Sequence, residues 1–167
     1  MDIDTCFGNI TEFRADAIVN AANSRLRGGS GVDGAIHRAA GPELMVELIQ
    51  RYPNGMAAGD AVVTFAYNLP AMYVIHTVGP RYYPGAVENE TLLESCYLRS
   101  LLQAERLGLE SIVFPAISTG VYGYPLYDAT QVALRTIENF EPKSLRKVTL
   151  IFRTAEMLED ALEGPTL

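Results

Sequence analysis

Two stretches of this 167-residue chain carry side chains and backbone able to do chemistry. In the first, Asp16-Ala-Ile-Val-Asn-Ala-Ala-Asn23 ends in two asparagines three residues apart, and Ser24-Arg-Leu-Arg-Gly-Gly-Ser-Gly-Val-Asp-Gly-Ala-Ile-His37 follows. The glycines at 28, 29, 31 and 34 allow the backbone to turn sharply and to approach a ligand closely. A helix opening near Val32 points its free N–H groups at the same place, which makes the segment a cradle for a phosphate. Asp33, in the first turn of that helix, is on spacing alone explained as well by a favourable place in the helix dipole as by a part in chemistry. The second stretch is Phe114-Pro-Ala-Ile-Ser-Thr-Gly-Val-Tyr-Gly-Tyr-Pro125, an apolar run that passes into Ser118, Thr119, Gly120 and Gly123 before the next helix. Two glycine-rich loops, each following an apolar strand, suit the two phosphates of a diphosphate better than either suits it alone.

Gly29-Ser-Gly-Val-Asp-Gly34 also matches the dinucleotide fingerprint G-x-G-x-x-G. An eight-residue stretch separates it from the strand ending at Asn20, whereas a dinucleotide-binding turn follows its strand directly. The match is therefore read as a lesson about anions at a helix start, and a nicotinamide-dependent dehydrogenase is not expected.

The elements that must hold these loops are legible from residue type and period. Strand-like runs, rich in β-branched and aromatic residues, lie at Thr5 to Phe7, Ala17 to Asn20, Ala61 to Ala66, Tyr73 to Val78, Ser111 to Pro115 and Val148 to Phe152. Several are apolar throughout, as a sheet covered on both faces requires. Helical patterns fall at Val32 to Ala40, Glu43 to Tyr52, Asn89 to Leu107, Asp128 to Asn139 and Ala155 to Leu162. Strand and helix in near alternation predict a three-layer α/β/α sandwich around a largely parallel sheet, with ligands at the carboxyl ends of the strands. With no repeat, linker or composition break, residues 1–167 are expected to form one domain, with 163–167 as a loose tail.

Composition narrows the function classes. The net charge is −7, and only Lys143 and Lys147 supply ammonium side chains, so the basic stripe of a duplex-binding protein is missing. No apolar run approaches a membrane span, and the acidic N-terminus lacks the pattern of a signal peptide. A cytoplasmic, monomeric protein is expected. Cys6 and Cys96 have no metal-ligand spacing and are expected to be buried free thiols; no metal and no cofactor are expected.

Asn20-Ala-Ala-Asn23, the run from Gly31 to His37, Ile75-His-Thr-Val-Gly-Pro80 and Pro115 to Pro125 together resemble the macrodomain family, specifically its MacroD-type hydrolases. The motifs keep their order along nearly the whole chain. The resemblance implies a mixed, largely parallel sheet between helices, a cleft for ADP-ribose and removal of mono-ADP-ribose from Asp or Glu side chains of modified proteins, with activity on O-acetyl-ADP-ribose also common in the family. It places Asn9 and Ile10 at the adenine, Asn23 and Asp33 at the distal ribose, and Gly31 and Val32 at the phosphates, with the neighbouring Ser30 also a substrate-binding candidate. Ser118, Thr119, Gly120, Val121, Tyr122 and Gly123 would form the opposite wall, with Tyr122 beside the distal ribose. Asn20 is a further candidate for ligand contact, set against satisfaction of loop backbone, and Phe152 for stacking on the adenine, set against core packing.

The implied mechanism puts a water beside the anomeric carbon of the distal ribose. Asp33 would orient or activate it, Asn23 would fix the ribose hydroxyls, and the segment from Gly120 to Tyr122 would hold sugar and phosphate. His37, four residues beyond Asp33, is assigned a structural role, and His76, inside an apolar strand, a place as a satisfied core histidine.

The chain departs from the family pattern twice. Asn9 stands where an aspartate is usual, which replaces a charged acceptor by an amide that can also donate. Ser30 stands where a glycine is usual, which is expected to restrict the loop or to add a hydroxyl near the ribose. Two other readings stay open: a module that binds ADP-ribose without cleaving it, and a hydrolase acting on nucleic-acid ends that carry ADP-ribose.

Overall fold

The computed structural model describes residues 1–164. One six-stranded sheet in the order β1-β6-β5-β2-β4-β3 carries the chain, built from β1 (Asp2–Phe7), β2 (Ala17–Ala22), β3 (Ala61–Phe65), β4 (Tyr73–Val78), β5 (Ser111–Phe114) and β6 (Lys147–Phe152). All neighbours run parallel except β3 and β4, which are antiparallel. The expected mixed, largely parallel sheet is what forms.

The helices are α1 (Gly31–Ala40), α2 (Glu43–Arg51), α3 (Val87–Arg106), α4 (Leu126–Glu138) and α5 (Ala155–Glu163). Because strand side chains alternate between faces, each central strand feeds two cores. Ala17, Val19, Val63, Ile75, Ile112 and Phe114 join the core under α3, α4 and α5, while Ile18, Ala22, Val74, Val78 and Val113 join the core under α1 and α2. This is why the central strands read as continuously apolar.

Element ends shift where pairing or a cap overrides local pattern. The first strand reaches back to Asp2 because β6 pairs with it from Asp2↔Lys147 to Phe7↔Phe152. Its exposed, polar alternate residues hid that length, as befits an edge strand. β2 continues past Asn20 to Ala22, held in register with β4 up to Ala22↔Val78. Pro125 caps α4, which starts at Leu126, two residues earlier than the pattern suggests. A short 3₁₀ turn at Ile10–Glu12, capped by the Asn9 side chain, was not legible as an element.

α5 includes Glu163 and ends on Gly164, so of the expected loose tail residue 163 is helical and 165–167 lie outside the described residues. Cys96 is buried as expected, but Cys6 is only half-buried because its edge strand is covered on one side. Burial, then Asp4, pushes the Cys6 thiol up from its ordinary pKa.

Candidate active site

β2 and β5 are adjacent and parallel, with Ala17↔Ile112 and Ile18↔Val113 in register, so the loops that follow them leave the same sheet edge side by side. The β2–α1 loop is tied down by the Asn23 side chain. Its Nδ2 donates to the Gly28 carbonyl at 2.7 Å and its Oδ1 accepts from the Arg25 backbone N–H at 3.1 Å. The chain then turns into α1, where a Cβ on Gly34 would lie 2.4 Å from the Gly29 carbonyl oxygen. Only glycine allows that approach of loop to helix. A Cβ on Gly29 would touch both Asp33 Oδ2 at 3.3 Å and Asn23 Nδ2 at 3.5 Å, so these two side chains converge beside one glycine.

Ser30 is the N-cap residue, with φ −95° and ψ −178° and no side-chain capping bond. This is extended backbone open to any residue, so the expected restriction of the loop does not arise. The N–H groups of Gly29, Ser30, Gly31, Val32 and Asp33 donate to no backbone carbonyl among the described residues. They form the free donor set that a helix N-terminus offers an anion.

The β5–α4 loop is built differently. Ser118 sits in the left-handed region, with φ 68°, and its hydroxyl donates to the Pro80 carbonyl at 2.8 Å. Its carbonyl accepts from Tyr124 N–H at 2.9 Å, closing the loop on itself. Thr119 Oγ1 donates to the Ala116 carbonyl at 2.8 Å. A Cβ on Gly79 would meet Ser118 Oγ at 2.1 Å, so the segment after β4 must be glycine for Ser118 to dock. Tyr82 braces the wall from outside: its N–H donates to the Tyr122 carbonyl at 2.8 Å and its ring lies 4.9 Å from that of Tyr124. The Arg81 guanidinium lies 5.1 Å over the Tyr122 ring. Gly120, Val121 and Tyr122 leave their N–H groups without a backbone acceptor among the described residues. Two sets of free N–H groups thus flank one sheet edge.

Beneath the first loop lies a buried polar chain. Asn20 Nδ2 donates to Asp33 Oδ1 at 2.9 Å and also stands 3.1 Å from His76 Nδ1. His76 Nε2 is 2.9 Å from Thr64 Oγ1, which itself donates to the Phe65 carbonyl at 3.0 Å. Burial first, then the neighbouring His37, lowers the His76 pKa to about 3, so the ring is neutral. Asn20 Oδ1 receives no donor from the described residues; an unmet buried acceptor costs about 1–3 kcal/mol. His37 Nε2 lies 3.4 Å from Asp33 Oδ1 on the adjoining turn of α1, consistent with a supporting place.

The sequence-derived residues therefore divide into three groups. Asn23, Ser30, Gly31, Val32, Asp33, Thr119, Gly120, Val121, Tyr122 and Gly123 all belong to the two loops or the start of α1 at the shared edge. Asn9 stands just beyond β1 at the same edge, but its Oδ1 accepts from Thr11 N–H at 3.0 Å and Thr11 Oγ1 at 2.7 Å, which leaves its amide hydrogens as the groups it presents. Ile10 follows it with its side chain in the core, so it can meet a ligand only through backbone.

Three assignments are corrected. Phe152 is 3% exposed and packs in the core beneath α4, so it offers no ring face to a base; its strand is covered on that side. Asn20 is 0% exposed and addresses Asp33 in place of a ligand. The Ser118 side chain is spent on Pro80, leaving it a scaffold role in the wall. Sequence reasoning placed His76 correctly as a satisfied core histidine but missed its connection to Asp33 through Asn20. The register Asn20↔His76 creates that connection, and the only signal for it was a polar residue in each of two apolar strands.

Comparison with known proteins fits this geometry. The Macro domain family model matches residues 19–133, from β2 through the second loop into α4. The chain is similar to an O-acetyl-ADP-ribose deacetylase of Escherichia fergusonii, 53% identical over 135 residues that cover 80% of this chain and 76% of that protein. Among solved structures it is similar to a substituted form of the Oceanobacillus iheyensis macrodomain with ADP-ribose, at TM-score 0.89 and 39% identity, covering 96% of this chain and 89% of that one. It is also similar to the Trypanosoma brucei macrodomain in complex with ADP-ribose, at TM-score 0.85 and 41% identity, covering 95% and 67% respectively. With most of its length matched by the family model and by relatives at this identity, the chain belongs to the Macro domain family.

Proposed function

We propose that the protein binds ADP-ribose across the two loops and hydrolyses esters of its distal ribose, both O-acetyl-ADP-ribose and the mono-ADP-ribosyl esters of Asp and Glu side chains. The observation that carries this reading is the convergence of Asn23 and Asp33 beside Gly29, at the junction of two sets of free backbone N–H groups. A diphosphate laid between the loops would receive donors from Gly31 and Val32 on one side and from Gly120 to Tyr122 on the other. Its distal ribose would then lie against Asn23 and Tyr122, with Asp33 facing a water beside the scissile bond. Much of the rate comes from this positioning. Asp33 orients the water and takes up proton density as it attacks, and the N–H groups stabilise charge on the phosphates and the ribose oxygens. The names of the deacetylase relative and of the neighbours with ADP-ribose support the same ligand and the same class of reaction.

Calorimetric titration with ADP-ribose tests binding. It is run beside assays for acetate release from O-acetyl-ADP-ribose and for ADP-ribose release from a glutamate-modified protein. Wild type is expected to bind and to release both products, and Asp33→Ala to lose about 100-fold in turnover while still binding. Binding without release would make the chain a reader of ADP-ribose, and release from the metabolite alone would confine the reaction to the small ester.

A further inference from the structure

We infer that His76 and Asn20 form a buried positioning chain that sets the orientation of Asp33, and so governs turnover without touching the ligand. The inference rests on the role given to Asp33 above. Its basis is that every hydrogen in the chain has one destination. Thr64 has a single hydroxyl hydrogen and donates it to the Phe65 carbonyl. Its 2.9 Å contact with His76 Nε2 must then be an N–H of the ring donating to Thr64 Oγ1. A neutral imidazole carries one such hydrogen, so Nδ1 is an acceptor and takes one hydrogen of Asn20 Nδ2. The other hydrogen of that same nitrogen goes to Asp33 Oδ1 at 2.9 Å.

The direction of the chain decides which end of the Asn20 amide meets the carboxylate. With the amide reversed, its oxygen would face both the His76 lone pair and the Asp33 carboxylate, two repulsive contacts in a buried site. The observed orientation holds even though it leaves Asn20 Oδ1 without a donor. Thr64, His76 and Asn20 occupy three neighbouring strands, on the sheet face covered by α1, and all are buried. They hold Asp33 from below while its first-turn position in α1 fixes it from above. A carboxylate seated on two supports of this kind loses little freedom when substrate arrives.

His76→Leu removes the acceptor that orders Asn20, and His76→Asn restores an acceptor near the place of Nδ1. The expected result for His76→Leu is a fall in kcat of about 10- to 100-fold on O-acetyl-ADP-ribose, with the calorimetric Kd for ADP-ribose within about twofold of wild type. His76→Asn is expected to recover most of the loss. Equal losses in kcat and affinity, or no recovery with asparagine, would assign His76 to packing alone and overturn the inference. Should His76→Leu not fold, Thr64→Val at the far end of the chain replaces it, with the same split between kcat and Kd expected on a smaller scale. Crystal structures of the folded variants supply a readout independent of turnover: the Asn20 amide is expected to turn and its contact with Asp33 Oδ1 to open. An unmoved Asp33 overturns the positioning chain even where the wild type cleaves esters. An Asp33 displaced in the variants, beside a wild type that cleaves no ester, upholds the positioning chain and overturns only the reaction proposed above.

Discussion

The two loops at the shared sheet edge reach similar backbone outcomes by opposite means. The β2–α1 loop is organised by the side chains to which the proposed function gives its chemistry: Asn23 ties it to Gly28, and Asp33 is tied to Asn20 beneath it. The β5–α4 loop is organised by its own backbone and by two hydroxyls spent on backbone carbonyls, Ser118 on Pro80 and Thr119 on Ala116, while Val121 at its tip is 93% exposed. In the proposed reaction the first loop has to hold a particular carboxylate oxygen in place, whereas the second has only to present N–H groups along a surface. That reaction therefore asks for rigidity chiefly in the first.

The largest expected effect breaks the first loop at its tightest contact. Gly34→Ala puts a methyl group 2.4 Å from the Gly29 carbonyl oxygen, a backbone atom that cannot swing away. Thermal and urea denaturation are expected to show a loss of about 3 kcal/mol, the upper end for overpacking. Calorimetry is expected to show weaker ADP-ribose binding as the free N–H groups are pushed apart; unchanged stability and affinity would mean that the approach of loop to helix is not required.

Acid should separate the loops next, because only the first rests on a buried imidazole. Folding lowers the His76 pKa from 6.5 to about 3. Above pH 6.5 neither the folded nor the unfolded ring holds a proton and stability is complete. As pH falls from there toward 3, the unfolded ring takes up a proton that the folded ring refuses, and stability falls by about 1.4 kcal/mol per pH unit. Between pH 7 and pH 5 the wild type is expected to lose about 2 kcal/mol more than His76→Asn in urea denaturation, since the variant lacks the titrating group. Parallel losses in the two proteins would show that the ring is protonated in the fold.

The smallest effect sharpens the description of the second loop. Ser118→Ala leaves the Pro80 carbonyl without its hydroxyl donor and is expected to cost about 1 kcal/mol, with ADP-ribose affinity changed only slightly. A large loss of affinity would show that this wall depends on fixed side-chain anchoring as much as its neighbour does.

Much of the architecture was legible because alternation of strand and helix and the double-sided burial of central strands are properties of local pattern. The Gly-rich runs marked both loops for the same reason: an anion-binding turn needs glycine and free N–H groups wherever it occurs. Less legible were features set by a neighbour. β1 gained its first residues from β6, and α4 gained its first two residues after Pro125. Phe152 looked available at the end of its strand, yet the helix layer above it covers the ring.

The sequence by itself determined the sandwich around a largely parallel sheet, the two loops and the presence of Asn23 and Asp33 among them, since these follow from residue type, period and spacing. Only the tertiary structure decided what Asn20, His76 and Thr64 are for. They are separated by 12 to 56 residues along the hydrogen-bonded chain they form with Asp33, and hydrogen-bond direction is a property of all its members together. A buried amide has two possible orientations and a neutral imidazole two tautomers; the neighbours brought in by strand register select one of each.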